Sequence, residues 1–371
     1  MRILLVGGEA ELSAELLEYI ADLGDEWEVQ SVPDGSAAIV AVASATIDAI
    51  IVAPVLPDLA PATLLGQIRT LRPETIRIAL IDGNNQQRPP SARIIGVAHR
   101  FLPLPLAPEI LLEAMTSLEE LRELLDSPRL RQAIGRIEKL PSPPHLYMSL
   151  MHALEEDEES NAAEIAKLVA ADPAIAAKVL QLCNSAFFNN GRAISDLRGA
   201  VTRLGLSTLR DLVLASEVFA LPGMSGPERN ALQSRSLTAS RLAAKILPAS
   251  SAELGSTAAL LADIGLLLPG VRDEREAADE DDHRPGHAEA GAYLLGLWGL
   301  PMPIIEAVAF QLQPARSNVR SFWTSGAVHV ATSLAAGREV DEQYLASVGV
   351  LPKLEQWREL AENLMGISVE A

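Results

Sequence analysis

The chain has few of the histidine and cysteine side chains that could bind a metal ion and perform chemistry there. Metal centres gather imidazole nitrogens and carboxylate oxygens around one or two divalent ions, usually from several helices. The sequence has six histidines: His99, His145, His152, His283, His287 and His329. Cys183 is the single cysteine, so no intramolecular disulfide can form. We interpret Cys183 as a small buried side chain in a protein of a reducing compartment.

The composition indicates an acidic globular chain with two domains. Its 371 residues carry a formal net charge of −19 and a pI near 4.8, so the phosphate backbone of a nucleic acid would be repelled. The nearest candidate for a membrane span, residues 258–268, contains Asp263 and is too short. Residues 1–8 end in glycines and predict a first strand rather than a signal peptide. We expect a cytoplasmic protein that binds neither nucleic acid nor membrane.

From residue 2 to about residue 120, short β-like runs alternate with amphipathic helical segments. This alternation predicts a parallel sheet covered by helices on both faces. The predicted strands are residues 3–6, 27–32, 49–52, 77–81 and 99–102, and the amphipathic segments include residues 11–23 and 63–71. Ligands of such sheets bind at the carboxyl ends of the strands.

The residues that follow these strands form a recognisable set. They are Gly7, Gly8 and Glu9 after the first strand, Ala53 after the third, Ile81 or Asp82 at the fourth, and Leu104 and Pro105 at the fifth. Leu56 and Pro57 follow Ala53 at a short distance. With this spacing the segment resembles a response-regulator receiver domain. The resemblance implies a flavodoxin-like α/β fold with a doubly wound, five-stranded parallel sheet.

The resemblance also implies that the chemistry of the receiver family is missing. That family has an acidic pair, a phosphate-accepting Asp, a Ser or Thr, and a Lys, which together bind Mg²⁺ and a phosphoryl group. The matching positions here are Gly7 and Gly8, Ala53, Ile81 or Asp82, and Leu104. We therefore expect a pseudo-receiver that works without phosphorylation, through a surface at its fourth and fifth strands that binds a partner or its own second domain. Asp48 and Asp58 are interpreted as turn or cap carboxylates away from the pocket.

The segment that follows is predicted to be helical. Residues 107–125 place apolar side chains at three- and four-residue steps, which predicts a helix packed on the first domain, although the same stripe could pair two subunits in a homodimer. Ser127 and Pro128 predict the start of a second helix that runs to Leu140. We expect a pseudo-receiver domain at residues 1–122, a helical linker at 123–139 and a second domain at 140–371.

From Leu140 onward, Ala- and Leu-rich amphipathic segments predict an all-helical domain. Its motifs, in order, are Leu140-Pro141-Ser142-Pro143-Pro144, Asp172-Pro173, Asn184-Ser185-Ala186 and residues 194–205, which end in Leu204-Gly205. They resemble the HDOD family, a non-catalytic relative of the HD-type metal phosphohydrolases. Each motif also has a structural interpretation: Asp172 and Pro173 begin a helix, Asn184 and Ser185 bond local backbone, and Gly205 ends a helix.

The same resemblance implies where the metal ligands of HD relatives would fall. The central His-Asp pair is Ala262-Asp263 here, and Gln311 and Thr332 stand at other ligand positions. Asp263, His287 and His329 are therefore vestigial candidates for a mononuclear metal site, which we interpret as buried, hydrogen-bonded remnants. We predict no catalytic residue, metal or cofactor. The acid-rich residues 155–159 and 273–282 are interpreted as solvated turns or loops, with a docking site as the alternative.

These resemblances favour a non-enzymatic signal-transduction protein of the two-component and phosphorelay type that acts through protein–protein contacts. The expected partners are other signalling proteins, such as a sensor kinase or a cyclic-dinucleotide enzyme. Two alternatives stay open. One is a residual HD-type metal phosphohydrolase that acts on nucleotides or cyclic dinucleotides, and the other is a nucleotide-binding sensor without turnover.

Overall fold

The computed structural model describes residues 1–7, 27–82, 92–125, 127–137, 162–184, 194–205, 209, 226–275, 282–317 and 321–367. Within these ranges an α/β region precedes a region made of helices. None of the described helices is both long enough and apolar enough to cross a membrane.

The α/β region is built on a five-stranded parallel sheet. Its strands are β1 (Arg2–Val6), β2 (Glu28–Val32), β3 (Ala49–Val52), β4 (Ile76–Asp82) and β5 (Arg100–Leu104). They lie in the order β2-β1-β3-β4-β5, a doubly wound order of the flavodoxin-like type. The predicted fold class is confirmed, and the predicted strands agree with the observed ones to within two residues at each end.

Helices connect these strands and cover the sheet. They are α1 (Gly35–Ser44), α2 (Pro61–Leu71) and α3 (Ala92–Ile95). The carboxylate of Asp34 begins α1 by accepting a hydrogen bond from the backbone N–H of Ala37 at 2.8 Å. All four residues of β3 are buried, as expected for a central parallel strand. The predicted segment 63–71 lies within α2, whereas the predicted segment 11–23 lies outside the described residues.

Two helices lead from the sheet to the second region: α4 (Pro108–Leu124) and α5 (Pro128–Gly135). The Oγ of Ser127 caps α5 by accepting from the N–H of Leu130 at 3.3 Å. The helix ends at Gly135, short of the predicted end at Leu140. The reason is a contact with a distant residue, because the Nη2 of buried Arg77 donates to the carbonyl oxygen of Gly135 at 3.1 Å and fastens this end of the helix to the α/β region.

The named secondary-structure elements in the described part of the second region are all helices, which confirms the predicted all-α class, and an isolated β-bridge joins Arg272 to Gly286. Its helices are α6 (Ala162–Ala170), α7 (Pro173–Cys183), α8 (Leu197–Leu204), α9 (Gly226–Ile246), α10 (Ala249–Leu261), α11 (His287–Leu297), α12 (Met302–Ala309), α13 (Thr324–Ala335), α14 (Glu342–Ser347) and α15 (Leu354–Ile367), with 3₁₀ turns at Ile264–Leu267, Pro314–Arg316 and Leu351–Lys353. α9 packs against α10, α13 and α15, and α11 packs against α12 and the Ile264–Leu267 turn.

The family motifs act as helix boundaries where they are described. The carboxylate of Asp172 accepts from the N–H groups of Ala174 and Ile175, and Pro173 occupies the first turn of α7. The amide of Asn184 bonds the backbone of Leu180 and Ile194. Gly205 ends α8 with a φ of +74°, a value that favours glycine. Pro141 and Ser185 lie outside the described residues.

Arg100, at the start of β5, fastens the two regions together. Its guanidinium is buried and donates to the carbonyl oxygens of Leu297 and Gly296 at 3.1 and 2.7 Å, and also to Ala114 of α4. The cation therefore caps the carboxyl end of α11, where it also complements the helix dipole. The surface at the fourth and fifth strands was predicted to bind either a partner or the second domain of the same chain. The contact of Arg100 with α11 is of the second kind.

Candidate functional site

Among the residues described there, the carboxyl edge of the sheet lacks a phosphate-accepting carboxylate after β3 and an ammonium group at the end of β5. Gly7 and Ala53 follow neighbouring strands, and the N–H of Ala53 donates to the carbonyl oxygen of Val6 at 2.9 Å. Ala53 is 2% exposed, and Leu104, paired in register with Asp82, ends β5. A buried methyl group surrounded by aliphatic side chains offers neither a nucleophile nor a metal ligand. Gly8 and Glu9 lie outside the described residues.

Asp48 and Asp58 make structural contacts, as predicted. The carboxylate of Asp48 accepts from the N–H of Arg2 and pairs with Arg122 at 2.8 Å, at the amino end of β3. The carboxylate of Asp58 accepts from Ser36 Oγ and from the N–H groups of Gly35 and Ser36. Those hydrogen bonds, chiefly the one from Ser36 Oγ, lower the pKa of Asp58 to about 2.

The helical region brings two of the three vestigial metal candidates together. Asp263 follows α10, and His287 begins α11, so that His287 Nε2 lies 3.7 Å from Asp263 Oδ1. The approach depends on Gly265, because a Cβ at that position would lie 1.9 Å from the carbonyl oxygen of His287. His287 is fully buried, and burial lowers its pKa to about 4 against the opposing attraction of Asp263. The imidazole is therefore neutral at neutral pH.

An arginine takes the place of a cation beside Asp263. Arg275 Nη1 donates to Asp263 Oδ2 at 2.9 Å, while its Nε and Nη2 donate to the two carboxylate oxygens of Asp273 at 2.6 and 2.7 Å. The Arg275 side chain is 8% exposed. Its contacts with Asp273 and Asp263 raise its pKa despite burial. A single guanidinium thus satisfies three carboxylate oxygens with charge-assisted hydrogen bonds.

Glu274 occupies the amino end of α11. Its Oε2 accepts from the N–H of Ala288 at 3.1 Å, and its own N–H donates to His287 Nδ1 at 3.2 Å. Burial raises the pKa of this carboxyl. Since Nδ1 accepts this hydrogen bond, the neutral imidazole of His287 carries its proton on Nε2, the nitrogen that faces Asp263.

His329 and the substituted ligand positions serve other contacts. His329 Nδ1 bonds the carbonyl oxygen of Gln311 at 2.7 Å, and its Nε2 accepts from the N–H of Asp341 at 3.0 Å. Both ring nitrogens are engaged, which agrees with the interpretation of His329 as a hydrogen-bonded remnant. Gln311 Nε2 donates to the carbonyl oxygen of Ala262, and Thr332 Oγ1 bonds Val328 within its own helix.

The donor set does not fit a metal ion. Among the described residues, no group of three or more His, Cys, Asp and Glu side chains has a metal-binding arrangement. Asp263 and Asp273 are bonded to a guanidinium. The two atoms left without a hydrogen bond, Asp263 Oδ1 and the protonated His287 Nε2, fall short of the three or four ligands that a zinc site needs.

A cleft of about 380 Å³ opens beside this cluster. Its basic lining residues are Arg272, Arg275, Arg316 and Arg338, its acidic ones are Glu274 and Glu289, and Ala288, Ala309, Leu312 and Gln313 complete the wall. Arg338 Nε and Nη2 are buried and make no hydrogen bond within the described part of the chain. Arg235 approaches Asp263 from α9, at 3.6 Å.

The role of the arginines was not anticipated from the sequence, and the expectation for residues 273–282 was wrong at its beginning. Asp273 and Glu274 lie against His287 instead of in solvent. Residues 276–281 lie outside the described ranges, and Asp282 pairs with Arg284 near the surface. The available signal was the alternation of charge in Arg272-Asp273-Glu274-Arg275. Such alternation allows ion pairing that a purely acidic run does not.

Comparisons with known proteins identify the family of one domain. Residues 140–314 match the model of the HDOD domain. An uncharacterized protein of Treponema pallidum (strain Nichols) is 26% identical over an alignment of 200 positions that covers 47% of this chain and 38% of that protein. The match therefore spans well under half of the relative's length.

Two solved structures are similar over parts of the chain. The MmoQ response regulator from Methylococcus capsulatus str. Bath is 21% identical and covers 58% of this chain and 97% of its own, with a TM-score of 0.45. The signal receiver domain of an HD domain-containing protein from Pseudomonas fluorescens Pf-5 is 27% identical and covers 33% of this chain and 88% of its own, with a TM-score of 0.27.

Because both TM-scores are below 0.5, the assignment rests on the family match and on the sheet of the chain itself. The strand order β2-β1-β3-β4-β5 is the doubly wound order expected of a receiver. The chain therefore joins a receiver-like α/β domain to an HDOD domain at residues 140–314.

Proposed function

We propose that the chain is a non-enzymatic signalling protein whose two domains act by contact with other signalling proteins, without phosphorylation of the receiver-like domain. A role in signal transduction follows from the combination of the two domains. The absence of catalysis and the dependence on protein contacts are the new parts of the proposal.

The observation that carries the proposal is the double ion pair of Arg275 with Asp263 and Asp273. A metal-dependent phosphohydrolase needs carboxylates that are free to bind a cation, and it needs an open coordination position for water. Here a covalently attached cation is hydrogen-bonded to both carboxylates and occupies the position that a metal ion would need. Displacing it would leave a buried guanidinium without partners, which opposes metal binding.

The receiver-like domain supports the same conclusion through its own residues. Ala53 has no group that can accept a phosphoryl group, and Leu104 has no ammonium that could contact one. The β5 residue Arg100 is already committed to the carboxyl end of α11. A constitutive contact of this kind suits a scaffold whose domains keep a fixed relation. The partners that we propose are sensor kinases, cyclic-dinucleotide enzymes or similar signalling proteins.

Two assays on the purified full chain test the absence of chemistry. Incubation with acetyl phosphate and Mg²⁺, followed by intact-mass measurement, should give no phosphate adduct. Incubation with Zn²⁺, Mn²⁺ or Fe²⁺ and a phosphodiester substrate should give no turnover above buffer. A stoichiometric adduct, or turnover that disappears in His287→Ala, would overturn the proposal.

A third experiment tests the protein contacts. Proteins captured from the native cytosol should be purified individually and their affinities for the full chain measured with and without phosphodonor and metal. We expect at least one purified signalling protein to bind with an affinity that neither addition changes. Binding that requires either addition would contradict the proposal.

A further inference from the structure

The arginine-lined cleft has a charge arrangement that the proposed function leaves unexplained. Its volume of about 380 Å³ is at the small end of the roughly 300–1,000 Å³ found for small-molecule pockets. The walls combine guanidinium groups with apolar side chains such as Ala288 and Leu312. A pocket of this composition fits a small ligand with one charged and one less polar part.

The arginines of the cleft differ in how many carboxylate or carbonyl partners the protein already provides for their guanidinium groups. Arg275 is held by two aspartates, and Arg316 lies 3.6 Å from Glu289 with both side chains partly exposed. Arg272 donates from Nε to the carbonyl oxygen of Arg284. Arg338 stands apart, because its buried Nε and Nη2 have no hydrogen-bond partner among the described residues.

Arg338 is partly buried, and its Nε and Nη2 lack a hydrogen-bond acceptor among the described residues. Burial is the main cause that lowers its pKa, and the cations of Arg275 and Arg235 act in the same direction. The carboxylates of Asp263 and Asp273 oppose this shift, but both are hydrogen-bonded to Arg275. A guanidinium is charged at every physiological pH, so an anion that accepts its unused hydrogen bonds would be stabilised there.

We propose that this cleft binds a small phosphate-bearing ligand, with phosphoryl oxygens accepting hydrogen bonds from Arg338, Arg272 and Arg316. A planar guanidinium matches two phosphoryl oxygens at once, which gives phosphate an advantage over a halide. The glutamates oppose a ligand of high negative charge, so a monophosphate fits better than a polyphosphate. The apolar wall accommodates the organic part. The inference goes beyond the proposed function, because binding requires neither turnover nor receiver phosphorylation.

Thermal unfolding and isothermal titration calorimetry of the full chain test the inference with four probes: inorganic phosphate, pyrophosphate, adenosine 5′-monophosphate and adenosine. Sodium chloride at matched ionic strength is the blank. We expect the two monophosphate probes to raise the melting temperature and adenosine to leave it unchanged. Adenosine and its monophosphate together show whether the phosphoryl group or the organic part dominates.

The variants assign the site. Arg338→Ala should weaken phosphate binding by roughly tenfold or more, the loss expected for charge-assisted hydrogen bonds. If Arg338→Ala does not fold, the double variant Arg272→Ala/Arg316→Ala, which changes partly exposed side chains, should show a loss of the same order. Arg358→Ala is the matched control, since Arg358 is an exposed, ion-paired arginine of α15.

Three results would overturn the inference. One is that no phosphate-bearing probe stabilises the wild-type chain beyond sodium chloride. The second is that the Arg272→Ala/Arg316→Ala variant binds as tightly as the wild type. The third is that Arg358→Ala loses as much affinity as the cleft variants, since the effect would then be general screening of surface charge. Turnover assays stay a separate measurement, so the failure of this inference and the failure of the proposed function are distinguishable.

Discussion

Arg275 and Asp263 form an ion pair of 2.9 Å in which both side chains are 8% exposed. The guanidinium is part of the chain, so its effective concentration at the carboxylate exceeds that of any free cation. It is fixed further by two hydrogen bonds to Asp273. The site that resembles a metal centre in sequence is thus an internally ion-paired cluster in structure.

Removing Arg275 should destabilise the fold and create affinity for a divalent cation. Arg275→Ala leaves Asp273 without its counter-ion and Asp263 with only the longer, 3.6 Å pair to Arg235, and breaking a buried pair costs about 3–5 kcal/mol. Zn²⁺ should restore part of that loss, because it can bind both carboxylates. Urea unfolding of wild type and variant, each with and without Zn²⁺, measures both effects.

Arg284→Ala is the matched control for this substitution. Arg284 pairs with Asp282 in the same segment, but its side chain is 58% exposed. An exposed pair contributes about 0–1 kcal/mol, so this variant should differ little from wild type and should not respond to Zn²⁺. Equal stability of the Arg275→Ala variant and the wild type would show that the ion pair is unimportant.

Ala53→Asp should destabilise the receiver-like domain without restoring phosphorylation. Ala53 is buried at the carboxyl end of β3, and no carboxylate at position 7 or ammonium at position 104 is present to support the charge. Burying an unpaired carboxylate costs several kcal/mol or forces it to stay protonated. Val55→Asp, two residues away but 74% exposed, should be nearly neutral.

Thermal unfolding and intact-mass measurement with acetyl phosphate and Mg²⁺ distinguish the outcomes of these two variants. The expected result is a lower melting temperature for Ala53→Asp alone and no phosphate adduct in either protein. A stable Ala53→Asp variant that gains a phosphate would mean that the acceptor alone had been missing. The rest of the receiver-like pocket would then still support phosphorylation.

The sequence predicted the parts of this molecule that depend on short-range patterns. The uninterrupted aliphatic run of β3 predicted a buried parallel strand, and Asp172 followed by Pro173 predicted the start of α7. Such signals work because the residues that decide the structure are adjacent in the chain. The alanine at the phosphate-acceptor position was also identified from the sequence, because Ala53 directly follows the run of residues that predicts β3.

Contacts between residues that are far apart in the chain could not be predicted from the sequence. Arg100 and Leu297 are separated by 197 positions, and nothing near either residue indicates the other. The Arg275–Asp263 pair was missed for a different reason. Asp263 was judged by its similarity to a metal ligand, whereas its charge is compensated by a residue in a segment interpreted as solvated loop. The end of α5 at Gly135 likewise depends on Arg77, which reaches it from β4.

Gly265→Ala should displace the amino end of α11. A Cβ at Gly265 would lie 1.9 Å from the carbonyl oxygen of His287, a backbone atom that cannot rotate away. The resulting backbone shift should lower the free energy of unfolding by about 1–3 kcal/mol. It should also separate His287 from Asp263, which histidine chemical shifts in NMR spectra would report.

Gly366→Ala is the control for the glycine substitution. Gly366 lies exposed in α15, and a Cβ there meets nothing within 4 Å. Alanine is the better helix former, so this variant should gain about 0.5–1 kcal/mol. If both variants lost stability equally, the close approach at Gly265 would not be the cause.

Lys178 should make the stability of the chain depend on pH in the alkaline range. Its ammonium group is buried, donates to Gln181 Oε1 at 2.9 Å and lies 4.5 Å from the ring centroid of Trp298. Burial lowers its pKa from 10.5 to about 7. Between those values the unfolded chain binds a proton that the folded chain does not, so the free energy of unfolding rises with pH across this window. Below it, Lys178 is protonated in both states and contributes no pH dependence.

Lys178→Met should therefore flatten the pH dependence, and the slope is a better readout than the stability at one pH. Loss of the ammonium removes the desolvation penalty but leaves Gln181 Oε1 without its donor, and these two effects oppose each other at any single pH. The slope is free of these opposing effects because it counts protons alone, and one proton accounts for at most about 1.4 kcal/mol per pH unit.

Urea unfolding at pH 7.5 and 9.5 should show that the wild type gains more stability than the Lys178→Met variant. Exposed Lys167→Met should behave as wild type, and a Lys178→Met variant with the full wild-type slope would show that Lys178 is charged in the folded chain throughout this range.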